Sequence, residues 1–129
     1  MNIKNQKKYF NETYESWIEV SDEKIRTINK TIYKLGISEG DSVLHVASGT
    51  GVLYGALNQL GLDNYVALDI SENMLTELKS IYPEAKTICG DFDNEINLEN
   101  KFDYIIIFNS IPHFENLSMV FSNARTHLK

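Results

Sequence analysis

Four short apolar runs, each followed by a turn and most by a helix-patterned stretch, constrain this chain more than any other feature. They lie around residues 42–47 and in "YVALDI", "AKTIC" and "FDYIIIF". The spacing predicts helices from about Gly51 to Leu60, over "SENMLTELKSIY" and over "NLSMVFSNARTHL", with a polar loop "GDFDNEINLENK" before the last run. Strands alternating with helices of this length need crossover connections, which predicts an α/β fold with a mostly parallel sheet and helices on both faces. An earlier helix, "SDEKIRTINKTIYKLGI", has Ser21 as its N-cap candidate and Ile25, Ile28, Ile32 and Leu35 on one face. With 129 residues the chain is one domain. We divide it into an N-terminal helical segment, 1–36, and a sheet-bearing domain, 37–129.

Charge and composition exclude several function classes. The net charge is −6, with a balance of +2 over residues 1–36 and −8 over 37–129. So acidic a body is a poor match for a phosphate backbone, which argues against nucleic acid as the principal partner. No apolar run approaches a membrane span, and "MNIKNQKKYFNETY" is not a signal peptide, so a cytoplasmic location is expected. The single cysteine, Cys89, excludes an internal disulfide and a Cys-based zinc cluster, and reads as a small buried hydrophobe.

Ligands of parallel α/β sheets bind beyond the carboxyl ends of the strands, so the residues placed there carry the chemistry. After the first strand comes Ala47-Ser48-Gly49-Thr50-Gly51; after the second, Asp69; after the third, Asp91-Phe92; after the fourth, Asn109-Ser110. A glycine turn lets backbone approach a ligand, and an acid at the second strand's end can accept from both hydroxyls of a ribose. A dinucleotide fingerprint needs its third glycine where Tyr54 stands, with Gly55 one residue late; no Gly-Lys-Ser/Thr triphosphate loop is present. An adenosine ligand without phosphates fits better.

These motifs together resemble the class I S-adenosylmethionine-dependent methyltransferases. "VLHVASGTG" is similar to that family's first motif, "YVALDISENML" to its ribose-binding segment, "CGDF" to its acid–apolar pair flanking the adenine, and "FDYIIIFNSIPHFEN" to its fourth strand and following loop. The resemblance covers about residues 40–128. It implies a Rossmann-like sheet of order 3-2-1-4 with S-adenosyl-L-methionine as cofactor. It places Ala47, Ser48, Gly49 and Gly51 near the methionine and ribose, Asp69 on the ribose hydroxyls, Ile70 and Met74 near the adenine, Asp91 on the adenine amino group, Phe92 against the ring, and Asn109 at the site's edge. Activity on a small-molecule acceptor is implied. The alternative is a non-catalytic cofactor-binding or interaction module, or one half of a two-chain enzyme; a nucleotide-dependent oxidoreductase is disfavoured by Tyr54. Since the sulfonium is already an activated donor, positioning dominates catalysis and no triad is expected. The candidates for a proton-handling role are His113 and Tyr14. The aromatic segment of Tyr9, Phe10, Tyr14 and Trp17 reads as packing or as a lid over the cofactor.

The sequence departs from the family in two places. His45 stands where an acid usually helps hold the methionine ammonium. A neutral imidazole accepts one hydrogen bond there; a protonated one repels the cation. By itself, a histidine inside an apolar strand reads as a hydrogen-bonded structural residue. The family's sheet also continues past "THLK" with a fifth strand and a closing antiparallel pair, so the sequence is expected to be a fragment or a minimal form. "FDYIIIF" then forms an edge although its continuous apolar run is that of a strand buried on both faces. The last helix, with Leu117, Phe121, Ala124 and Leu128 on one stripe, is expected to cover a sheet face without pairing that edge. Self-association through the fourth strand as a homodimer, or pairing with a partner chain, follows.

Overall fold

The computed structural model of the protein describes residues 22–49, 52–59, 64–108 and 110–129. Ser21, Thr50, Gly51, Asn109, Tyr14 and the rest of the proposed lid lie outside them. The elements in chain order are α1 (Asp22–Leu35), β1 (Val43–Val46), α2 (Val52–Gln59), β2 (Tyr65–Asp69), α3 (Glu72–Ile81), β3 (Lys86–Cys89), β4 (Tyr104–Ile107), a 3-10 turn (Ile111–His113) and α4 (Leu117–His127). The four strands form one parallel sheet in the order β3-β2-β1-β4. All four carboxyl ends therefore open on the same edge.

Side chains alternate across β1, and each face meets its own core. Val43 points into a cluster with Ile28 and Ile32 of α1, Leu53 and Leu57 of α2, and Leu75 and Leu78 of α3. Leu44 and Val46 point the other way, onto Phe92, Phe102 and Val120. Helix α1 thus shares the sheet's core, its Ile28 and Ile32 almost completely buried, whereas Leu35 at its end is exposed.

Three expectations need correcting. Helix α4 does not bury the stripe of Leu117, Phe121, Ala124 and Leu128. Its inward face is Val120, Asn123 and His127, while Leu117, Phe121 and Leu128 are exposed. The reason is backbone satisfaction. The segment between β3 and β4 forms no strand or helix of its own, and α4 supplies its partners. Asn123 Nδ2 donates to the carbonyls of Phe92 (2.9 Å) and Asn94 (2.8 Å), and its Oδ1 accepts from Ile96 N–H. His127 Nε2 accepts from Leu98 N–H at 2.9 Å, so Nδ1 carries the proton and donates to Asn123 O at 2.7 Å. Second, the chain past α4 does pair beside β4: Phe102 N–H donates to His127 O and Lys129 N–H to Phe102 O, a parallel bridge of Phe102 with Leu128. Ile106 is buried, but Tyr104, Ile105 and Ile107 are only half-buried, as suits a strand with one ladder neighbour along its length. Third, Cys89 is exposed, because β3 is the opposite edge strand; its thiol donates to Ile70 O at 3.7 Å.

Gly55, one position late for a dinucleotide fingerprint, has a packing function. A Cβ there would collide with the hydroxyl of Tyr82, whose ring lies 4.6 Å from that of Tyr54, which in turn packs edge-on against Tyr65. With Tyr82 in place, glycine lets α2 pass close to the end of α3 without displacing that hydroxyl. Gly55→Ala is therefore expected to destabilise the fold by about 1–3 kcal/mol. Adding Tyr82→Phe should recover most of that loss, since only the hydroxyl obstructs. Urea denaturation of the two variants checks the cycle; equal midpoints for both would place the strain elsewhere.

Candidate functional site

The site is built at the carboxyl edge of the sheet, where the backbone leaves β1. Ala47 has φ +57°, and Gly49 has φ +60°. Glycine adopts this region freely, whereas for alanine it costs about 1–2 kcal/mol. Strain of this kind concentrates at functional sites. Between the two, Ser48 is pinned by its N–H to Leu68 O at 3.1 Å. No described atom lies within 4 Å of where a Cβ on Gly49 would stand, so this face of the turn is open to a ligand.

Asp69 holds the turn in place. Its Oδ2 accepts from Gly49 N–H at 2.8 Å and its Oδ1 from Ser71 N–H at 2.9 Å. Ser71 in turn caps α3, accepting from Met74 N–H. One carboxylate thus ties the end of β2 to the turn after β1 and to the start of α3. It is 6% exposed, and burial raises its pKa, with the N–H groups of Ser71, Gly49 and Ile70 acting in the opposite direction. Each oxygen keeps acceptor capacity beyond the bond it makes.

His45 lies beneath this turn. Its Nδ1 is 2.8 Å from the Tyr65 hydroxyl, and Nε2, fully buried, has no hydrogen-bond partner among the described residues; the same holds for Ser48 Oγ. Burial lowers the imidazole from 6.5 to about 3, and burial first of all raises the Tyr65 phenol well above its ordinary value. The pair is neutral, which removes the repulsive, protonated alternative. Among the described residues these two buried polar atoms beside the glycine turn are the ones left without partners, and such groups call for an explanation.

The other strand ends contribute less openly. Asp91 Oδ1 accepts from Asp93 N–H (2.9 Å) and Oδ2 from Asn94 Nδ2 (2.7 Å), which fixes the loop after β3. Phe92 is 1% exposed, its ring in the α4-side core, and Met74 is equally buried; Ile70 is half-buried. His113 sits half-buried in the 3-10 turn after β4. Asp69, Gly49, Ser48 and His45 are thus brought together, while Phe92 and Met74 pack inward. Asp93, Asn123, His127 and Tyr65 escaped the sequence reading. Val120, Asn123, Ala124 and His127 do keep helical spacing, a signal outweighed there by the more apolar stripe.

Parallel order 3-2-1-4, a strained turn after β1 and a buried acid ending β2 fit a class I S-adenosylmethionine-dependent methyltransferase fold. The chain belongs to that family: the family described as "Methyltransferase domain" matches residues 43–129. S-adenosylmethionine is the family's cofactor. No curated protein sequence matches the chain. Among solved structures it is similar to magnesium protoporphyrin IX methyltransferase (ChlM) from Synechocystis PCC 6803 with bound SAH (TM-score 0.81, 22% identity, 98% of this chain and 68% of that one). It is also similar to DesVI of Streptomyces venezuelae (TM-score 0.74, 22% identity, 92% of this chain and 52% of that one). A third is the glycopeptide N-methyltransferase MtfA complexed with sinefungin (TM-score 0.71, 21% identity, 81% and 45%). The chain spans about half the length of the last two. Among the described residues no helix is long and apolar enough to cross a membrane.

The neutral, buried His45 gives a pH signature. Unfolded, the ring titrates near 6.5; folded, near 3. Between these values the unfolded state binds the extra proton, so stability present above the unfolded pKa is lost as pH falls toward the folded one. Asp69 acts oppositely, its raised pKa favouring the fold at low pH and losing that contribution as pH rises through the folded value. His45→Leu should flatten the acid limb by about 1.4 kcal/mol per pH unit at its steepest. Urea midpoints of parent and variant between about pH 4 and 7 check this, since the difference isolates His45. Parallel curves would show that the ring titrates alike in the folded and unfolded chain, and that burial does not shift it.

Proposed function

We propose that this chain binds S-adenosylmethionine at the β1 turn and transfers its methyl group to a small-molecule acceptor. The observation that carries the reading is the buried Asp69 carboxylate holding an open glycine turn beside two unpartnered polar atoms, Ser48 Oγ and His45 Nε2. In this reading Asp69 accepts from the ribose hydroxyls with its remaining lone pairs. Gly49 and Gly51 let the backbone approach, with Ala47 and Asn109 beside them. With Nδ1–H donated to Tyr65, the Nε2 lone pair of His45 faces the methionine ammonium. Asp91 takes the adenine amino group, with half-buried Ile70 beside the ring, while Phe92 and Met74 back the site from the core. The bound cofactor supplies an activated methyl on a sulfonium. The chain's own work is to hold donor and acceptor in line and to keep water out. His113 and Tyr14 are the candidates for accepting a proton where the acceptor must lose one. The acidic net charge of −6 disfavours a nucleic-acid acceptor and suits a small molecule in a cytoplasmic setting.

Calorimetric titration with S-adenosylmethionine, its demethylated product and NAD tests the reading. The first two should bind, and Asp69→Ala should weaken them by about 1.5–3 kcal/mol, as for hydrogen bonds to a charged group. Binding of NAD alone would overturn the assignment. The neutral His45 favours a second reading, a binding module without turnover, which would bind both methionine compounds and transfer nothing.

For the assembly we propose a two-fold homodimer. It is supported by the exposed Leu117 and Phe121 of α4 and Leu128 at its C-cap. Light scattering should give twice the chain mass, and Phe121→Glu should return it to one; a monomer at high micromolar concentration sinks this part.

A further inference from the structure

We propose that Asp93 is a positioning residue that couples the cofactor-side loop after β3 to the acceptor-side turn before α4; this rests on the methyltransferase reading above. Its carboxylate, 3% exposed, makes no ion pair among the described residues. It is instead satisfied by backbone. Oδ1 accepts from Glu115 N–H (3.0 Å) and Asn116 N–H (2.9 Å), and Oδ2 from Glu115 N–H at 3.3 Å. Asn116 is the N-cap of α4, its side chain accepting from Met119 N–H. A buried anion suits that end of an eleven-residue helix, where free N–H groups and the helix dipole favour negative charge.

Asp93 belongs equally to the other loop. Its own N–H donates to Asp91, whose second oxygen takes Asn94 Nδ2. Asn123 meanwhile holds the carbonyls on both sides of Asp93, those of Phe92 and Asn94. Residues 91–94 therefore form one hydrogen-bonded unit that ends in Asp91 on the cofactor side and in Asp93 beneath residues 115–116. The 3-10 turn with His113 precedes those residues directly. A ligand that draws on the Asp91 carboxylate orders this unit, and Asp93 passes the ordering to Glu115 and Asn116. The acceptor-side turn is thereby set only once the cofactor is in place, which matches the need to align the acceptor with a bound donor. Asp93 is the side chain that hydrogen-bonds residues 91–94 directly to Glu115 and Asn116, so a substitution there loosens that link without touching the cofactor.

Amide hydrogen exchange with S-adenosylhomocysteine as the probe tests the coupling. In the parent chain, saturation with the probe should slow exchange at Glu115 and Asn116 by about fivefold or more, the lower end of measured site–site coupling. Asp93→Ala removes the acceptor that the Glu115 and Asn116 N–H groups share. It should bind the probe with the parent's affinity by calorimetry, yet leave those two amides exchanging equally fast with and without it. A merely structural Asp93 would speed exchange in both states alike and leave the ratio intact, which overturns the proposal. So does a parent chain that binds the probe without slowing Glu115 and Asn116, and that arm decides alone should D93A not fold. No binding of the probe to the parent would instead remove the methyltransferase reading, an outcome calorimetry distinguishes.

Discussion

The buried carboxylate of Asp69 is the constraint around which the site is arranged. A parallel sheet brings four strand ends to one edge but leaves the loops beyond them unpaired, and each has to be fastened individually. Asp69 fastens two at once, taking Gly49 N–H on one oxygen and Ser71 N–H on the other. Burial opposes its ionisation, and the N–H groups converging on it compensate in part. The strained turn at Ala47 and the cap of α3 are held by the same group, so the left-handed backbone persists although alanine disfavours it.

A second polar device works on the opposite face. Asn123 and His127 occupy positions where a helix would ordinarily bury leucine, and they satisfy four backbone groups of the 92–98 segment. Buried polar groups are stabilising only when fully paired, and these are. The arrangement accounts for the exposed apolar residues of α4: one helix has one inward face, and the irregular segment claims it.

His45 shows how one substitution alters a site without altering its fold. The family resemblance implies an acid as the usual residue at this position; here a neutral ring bonded to Tyr65 stands there. The pair joins the tyrosine stack of Tyr54 and Tyr82, so strand chemistry and helix packing share one cluster. The polar surface remains, but the negative charge does not.

Alternation of apolar runs with helical spacing was enough to determine the α/β class, the parallel sheet and the placement of Asp69, Ser48 and Gly49 at its carboxyl edge. Those features depend on local periodicity and on short turns, which a sequence carries directly. The order 3-2-1-4 came through the family resemblance and stands. Only the tertiary structure decided which face of α4 turns inward, because Asn123 and His127 answer to unpaired carbonyls and amides about thirty residues away. The same is true of Asp93, whose partners arrive from beyond β4, and of Gly55, whose meaning is the hydroxyl of Tyr82. Cys89 is exposed because β3 has no outer neighbour among the described strands. Periodicity reports which residues share a face; which face is buried depends on what the rest of the chain needs from it.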